Sequence, residues 1–208
     1  MNLGAHILPP GIWASEMEDQ GQSVPFHPAE EALVANAGQK RRRDFALGRA
    51  CARAALAHAG LCRADGAVIA RDADGKPVWP EGFVGSITHT QGYAAALAAR
   101  AADFAALGVD AERVGSVTPE LMPRLFDAAE RDWLENLDAV RRPAMTAVLF
   151  SAKEACFKAS AAGRVLVFQS IHIEAQGDRL RARQPGLADL EGRFAEGNGL
   201  VLTAFWRR

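Results

Sequence analysis

Residues 143–161 are rich in Ala, Leu, Met and Lys and contain no internal Gly or Pro, the composition of a long helix. A helix of that length has to bury one face, and Val148, Phe150, Cys156 and Phe157 are the residues available for a core. On another face Glu154 and Lys158 stand four apart and become neighbours. Read alone, they are an exposed intrahelical ion pair worth about 0.3–0.5 kcal/mol. A second acidic cluster upstream, Asp110-Ala111-Glu112, argues for more than that.

The chain has 208 residues, enough for one large domain or two small ones with a sizeable core. Apolar residues are 49% and charged residues 24%, as in ordinary globular proteins. The formal net charge of −1 excludes a generic polyanion binder. Any phosphate binding must therefore come from local clustering, and Lys40-Arg41-Arg42-Arg43 is such a cluster. Cys51, Cys62 and Cys156 form no CxxC pair and no metal-ligand spacing, which suits a reducing compartment. The N-terminus does not have the pattern of a signal peptide. No apolar run approaches the ~20 residues of a membrane span. A cytoplasmic protein is the expectation.

In chain order, residues 1–27 read as irregular or short-stranded, anchored by Ile7, Leu8, Ile12 and Trp13. Pro28 opens a helical segment over 28–34 with acids in its first turn. A longer helix spans 39–59, with Gly60 as its cap. Residues 67–71 and 76–79 read as a hairpin about Asp72–Gly75. Residues 93–100 are alanine-rich, so propensity favours helix, while their place after the Gln91-Gly92 turn leaves strand open. Residues 104–109 form a strand that delivers Asp110 and Glu112. Two helices follow, over 118–126 and over 127–137, the second with Asp127 as N-cap and Glu130 three residues on. After Gly163 come strands over 165–175, 179–184 and 192–194, the last paired with 200–206 through Glu196–Gly199. The chain divides softly near residues 100–105.

Asp110 and Glu112 alternate on a strand end and project to one face; a helical Glu154 completes an oxygen-rich set. Carboxylates with waters are what Mg²⁺ takes, phosphate oxygens filling its other positions. Asp-x-Glu alone is common and is most often a solvated strand end. The basic residues Arg41, Arg49, Lys76, His89 and Lys158 are the kind that hold phosphate oxygens. A lone histidine such as His89 is as often structural.

Five segments taken together resemble the 4′-phosphopantetheinyl transferases. They are Arg41-x-x-x-Phe45-x-x-Gly48-Arg49, Gly75-Lys76-Pro77-x-Trp79-Pro80, Gly85-Ser86-Ile87-Thr88-His89-Thr90, Gly108-Val109-Asp110-Ala111-Glu112 and Phe150-Ser151-Ala152-Lys153-Glu154-x-x-x-Lys158. Each is weak alone; five in order are specific. The likeness is closest to the enterobactin-synthase-component-D branch of the surfactin-type class. It departs in carrying Phe150 where relatives often have Trp, and Thr88 where many have Ser.

The resemblance implies an α+β fold of two similar α/β halves in one chain, a pseudo-dimer with the active site in the cleft between them. The halves would be residues 1–104, with the basic helix and the loop around Ser86–His89, and residues 105–208, with the acidic set. It implies transfer of the phosphopantetheine arm of coenzyme A to a serine of an apo acyl, peptidyl or aryl carrier protein, with Mg²⁺. Asp110, Glu112 and Glu154 would hold the metal, and Glu154 would also serve as base. Lys158 would hold the pyrophosphate, with Lys153 beside it. Arg41 and Arg49 would take the adenosine end and its 3′-phosphate, Lys76 and Pro77 would approach the adenine, and Thr88 and His89, with Ser86, would contact phosphate. Trp79 reads as packing.

The partners implied are coenzyme A and a carrier with an acidic helix, meeting basic surface near Arg124, Arg131 or Arg164. Neither nucleic acid nor membrane is implied, and one chain supplying both half-sites suggests a monomer. A non-catalytic coenzyme-A or nucleotide sensor is the alternative, and the complete set of Asp110, Glu112, Glu154 and Lys158 weighs against it. A nucleic-acid binder using the basic helix is disfavoured by the net charge and the absence of interleaved aromatics.

Overall fold

Two antiparallel sheets, each carrying one long helix, make up the computed structural model, which describes residues 2–160, 167–186 and 188–208. The first sheet contains β1 (Ile12–Glu18), β2 (Phe83–Thr90) and β3 (Tyr93–Arg100) in the order β1-β3-β2. Before it lies the short α1 (Gly4–Ile7). Between β1 and β2 come α2 (Pro28–Glu31) and α3 (Gln39–His58). The second sheet contains β4 (Ala106–Arg113), β5 (His172–Gln176), β6 (Arg179–Arg183), β7 (Leu190–Gly197) and β8 (Leu200–Arg207). Its order is β4-β8-β7-β6-β5. Between β4 and β5 run α4 (Met122–Leu125), α5 (Ala128–Glu135) and α6 (Arg142–Ala159).

Three cores result. Leu47, Cys51, Ala55 and Leu56 of α3 pack on Ala94, Ala96 and Ala98 of β3. Val148, Ala152, Ala155 and Cys156 of α6 pack on Val201 and Phe205 of β8. The third core joins the two sheets: Ala95, Leu97 and Ala99 of β3 meet Leu107, Val109 and Ala111 of β4 and Leu200, Leu202 and Ala204 of β8.

Residues 93–100, left open between helix and strand, form the central strand of their sheet. Alternate alanines face α3 and the other sheet, so both faces are buried, and β1 and β2 complete the backbone hydrogen bonding. Tertiary pairing and burial on both faces override alanine's helical preference here. The expected hairpin over 67–79 reduces to an isolated bridge between Arg71 and Pro77. The helix expected over 118–126 shrinks to α4, whereas Asp127 and Glu130 do form a reciprocal capping box on α5. The strand expected over 165–175 lies partly outside the described residues, as does Arg164; its described end is β5. Trp13, expected as an anchor, is 48% exposed. Phe157, expected in a core, is instead 37% exposed and lines the cleft.

Two local features place the acidic segment. A Cβ at Gly108 would land on the Ala155 carbonyl, so glycine is what lets α6 press directly on β4. At the far end Asn198 and Gly199, at φ 51° and 69°, form the two-residue turn that returns β7 into β8. Strand β8 then pairs along the whole of β4.

The other edge of β4 faces β2. No ladder forms across this seam among the described residues; two hydroxyls satisfy its amides instead. Ser86 Oγ accepts the Val109 N–H at 3.0 Å, and Thr88 Oγ1 accepts the Ala111 N–H at 3.2 Å. The two-residue spacing on β2 matches the two-residue spacing on β4, so the side chains act as a substitute ladder between the halves.

Candidate active site

A cleft of about 1210 Å³ opens along that seam, large enough for a nucleotide with a tail. From the first half, α3 supplies Arg41, Phe45 and Arg49, the bridge region supplies Arg71, Lys76 and Pro77, and β2 supplies Ser86, Thr88 and His89. From the second half come Asp110 of β4 and Phe157 and Lys158 of α6.

Asp110 is buried on strand β4. Its Oδ1 receives Lys158 Nζ at 2.7 Å and the Thr88 hydroxyl at 3.0 Å. Lys158 Nζ also donates to the Val109 carbonyl at 3.0 Å. Asp110 Oδ2 is buried and has no partner. Burial raises the carboxyl pKa of Glu112, and the Asp110 and Glu154 charges raise it further. Burial likewise raises Glu154, then Asp110 adds to it, with Lys158 opposing. Three carboxylates thus repel one another around a single ammonium group. An unpartnered buried oxygen beside two destabilised carboxylates is a set of hard donors short of positive charge, which fits a divalent cation such as Mg²⁺.

The opposite wall is short of negative charge. Arg49 Nε donates to the Ile69 carbonyl at 2.9 Å, while Nη2 is buried with no partner. Burial lowers the Arg49 pKa to about 10, with Glu30 opposing and Arg71, Arg53 and Arg41 assisting. The guanidinium groups of Arg49 and Arg71 lie 4.3 and 5.1 Å from the centre of the Phe45 ring. Arg41 Nη1 meets His89 Nε2 at 3.2 Å. Partial desolvation lowers the His89 pKa, and Arg41, Lys158 and Lys40 push the same way against Asp44. A neutral ring then accepts the Arg41 proton at Nε2. An orphaned guanidinium among other cations is a site for a phosphate anion.

Two family models match the chain: the 4′-phosphopantetheinyl transferase N-terminal domain over residues 29–99, and the 4′-phosphopantetheinyl transferase superfamily over residues 106–196. The chain is 42% identical over 205 residues to the 4′-phosphopantetheinyl transferase Svp of Streptomyces mobaraensis, covering 91% of this chain and 81% of that protein. It is 34% identical over 224 aligned positions to PptT of Mycobacterium tuberculosis, covering 97% and 96%. Enterobactin synthase component D of Salmonella typhi is 34% identical over 126 residues, covering 60% and 50%. The chain belongs to the 4′-phosphopantetheinyl transferase superfamily. Its activity is phosphopantetheinyl transfer to apo carrier proteins, and the reading as a non-catalytic binding module is not favoured.

Set in this transferase, most residues singled out from the sequence line one cleft, but Glu112, Glu154 and Lys153 are not among its lining residues, and Lys153, Thr88 and Ser86 make contacts other than those expected. Lys153, expected beside the pyrophosphate, is fully buried and donates to Glu130 Oε2 at 2.6 Å and to the Phe168 carbonyl at 3.0 Å. Glu154 is the next residue along the helix, and that single step turns it by about 100° onto another face. Thr88 donates its one proton to Asp110, and Ser86 accepts the Val109 N–H at the seam, so both hydroxyls support the acidic strand while lining the cleft. Both lie within β2 and not on a loop.

Sequence reasoning missed Arg71 and Phe168, which also line the cleft. Arg71 precedes the Asp72–Gly75 turn just before Lys76, and that symmetry about the turn was the available signal. Among the described residues, Asp127, Glu130 and His172 are the one group whose ligand atoms lie within 4.8 Å of one another; those of Asp110, Glu112 and Glu154 do not approach so closely. In the first group Asp127 caps α5 and faces His172, and Lys153 neutralises Glu130 through Oε2, while Glu130 Oε1 is buried with no partner.

Proposed function

We propose that this transferase uses coenzyme A as donor and moves its phosphopantetheine arm to a carrier-protein serine, with Mg²⁺ held by Asp110, Glu112 and Glu154. The observation that carries this reading is the cleft itself, which faces unpartnered Asp110 Oδ2 on one wall and unpartnered Arg49 Nη2 on the other. When bound, the cation would neutralise the pyrophosphate oxygens and draw the three carboxylates together. Arg41, Arg49 and His89 would hold the adenosine end with its phosphate, and Lys76 and Pro77 would flank the base.

The serine oxygen forms a bond to the phosphorus that carries pantetheine. The bond from that phosphorus to the bridging pyrophosphate oxygen breaks, and adenosine 3′,5′-bisphosphate leaves with the electron pair. The serine proton goes to the ionised Glu154 carboxylate, directly or through water. Lys158 stands one helical turn beyond Glu154 and offsets charge on the leaving phosphate. The aromatic residues Phe157 and Phe168, with ring centres 6.4 Å apart at the cleft, give the pantetheine arm an apolar surface. A cytoplasmic monomer serving nonribosomal-peptide, siderophore or polyketide carriers completes the reading, with carrier contact at basic surface such as Arg124 and Arg131.

The test is mass spectrometry of apo carrier proteins incubated with the enzyme, coenzyme A and Mg²⁺. A gain of about 340 Da on the carrier is expected. No gain on peptidyl, aryl or acyl carriers would overturn the reading.

A further inference from the structure

The basic wall of the cleft is held from behind by an acid that does not touch it. Glu30 of α2 is fully buried, and both its oxygens accept from Arg53 Nη1 at 2.9 Å. Its Oε1 also accepts the Ile69 N–H at 2.8 Å. The Ile69 carbonyl in turn accepts Arg49 Nε at 2.9 Å. Residue 69 is therefore gripped on both sides, by α2 through its amide and by α3 through its carbonyl.

Beyond residue 69 the chain forms one wall of the cleft. The Ala70 carbonyl accepts the Val78 N–H at 3.0 Å, the Lys76 carbonyl accepts the Asp72 N–H at 3.0 Å, and Arg71 bridges to Pro77. At the tip, Asp72 Oδ1 accepts the amides of Asp74 and Lys76 at 3.0 and 2.8 Å. Arg71, Lys76 and Pro77 leave this frame toward the cleft. Without a regular hairpin to hold it, the segment depends on its tether at Ile69.

We infer that Glu30 is a positioning residue for recognition of the nucleotide end of the donor: it anchors residues 69–78 and supplies the counter-charge for Arg49 and Arg53. This rests on the reading that the cleft takes coenzyme A. Physically, a buried carboxylate with a charged partner and a backbone amide is costly to leave incomplete. Its removal frees the Ile69 amide and leaves Arg49 and Arg53 close together in a desolvated place without their counter-charge. The arginine geometry would then relax, and binding of the anion would weaken more than the chemical step.

The experiment compares Glu30→Ala and Glu30→Gln with wild type under Mg²⁺, varying coenzyme A and apo carrier separately. Glu30→Ala should raise KM for coenzyme A about tenfold and raise the inhibition constant of adenosine 3′,5′-bisphosphate by the same factor. The carrier KM and kcat should stay within about twofold. Glu30→Gln keeps an acceptor for Ile69 and should fall between. An unchanged coenzyme-A KM in folded Glu30→Ala overturns the inference. So does a parallel loss in both substrates and kcat that tracks the folded fraction. If Glu30→Ala does not fold, Asp72→Ala releases the far end of the same segment and should show the same split; an unchanged coenzyme-A KM there overturns it too. A wild-type enzyme that modifies no carrier would instead sink the functional reading beneath.

Discussion

The Thr88 hydroxyl on β2 donates to Asp110 Oδ1 on β4 at 3.0 Å and accepts the Ala111 N–H at 3.2 Å. One side chain of the first half thereby sets the orientation of the central carboxylate of the second. The active geometry consequently depends on how the halves meet. Thr88→Val keeps the shape and removes the hydroxyl, leaving a buried amide and a buried carboxylate each short of one partner. A stability loss of about 1–3 kcal/mol is expected in thermal unfolding, with a fall in kcat/KM of about tenfold or more. Thr88→Ser should retain most of both, and an active, stable Thr88→Val would refute the role.

Glu154→Gln removes the group assigned to take the serine proton while keeping its size. Transfer should drop by about 10²–10⁴-fold, with helix content by circular dichroism unchanged. A variant that labels carriers at wild-type rate would show that the base lies elsewhere.

Chelation should abolish transfer, and Mg²⁺ should restore it, because Asp110, Glu112 and Glu154 repel one another when only Lys158 is present. Asp110→Asn should leave the enzyme unresponsive to added Mg²⁺. Persistent turnover in a metal-free assay would contradict the proposed ligand set.

Lys153 and Glu130 form an ion pair buried on both sides. Lys153→Met should cost about 3–5 kcal/mol of stability by stranding the carboxylate, yet leave KM for coenzyme A in the folded protein unchanged. Adding Glu130→Gln should recover part of the loss. If Lys153→Met weakens coenzyme-A binding in the folded enzyme, the lysine acts in the cleft after all.

His89 gives a pH signature. Its pKa is depressed in the free protein, and a bound phosphate beside it would raise the pKa again. Binding then takes up a proton, so affinity for adenosine 3′,5′-bisphosphate should rise as pH falls from neutrality through the range of the bound-state pKa. Calorimetry in buffers of different ionisation heat would detect the proton, and His89→Gln should abolish the uptake.

Sequence alone determined the long helices, the Asp127–Glu130 cap and the turn before β8, since each rests on neighbours within a few residues; the ion pair expected within α6 does not form, and Lys158 pairs with Asp110 of β4 instead. Sequence also brought together the five segments that mark the family, because their order survives in one dimension. Tertiary structure decided the rest. Residues 93–100 became a strand because two strands and two cores enclose them, and no local preference encodes that. Lys153 and Glu154 are adjacent in sequence, but only the placement of α6 between two environments sends one into a buried ion pair and the other into the field of Asp110 and Lys158. Gly108 shows its purpose only where α6 presses on β4, with the Ala155 carbonyl filling the space a side chain would take. Ser86, Thr88 and Glu30 show their roles only through partners 22 to 39 residues away. Contacts at that range depend on how two halves close on one another, and a pattern read along the chain holds no measure of that.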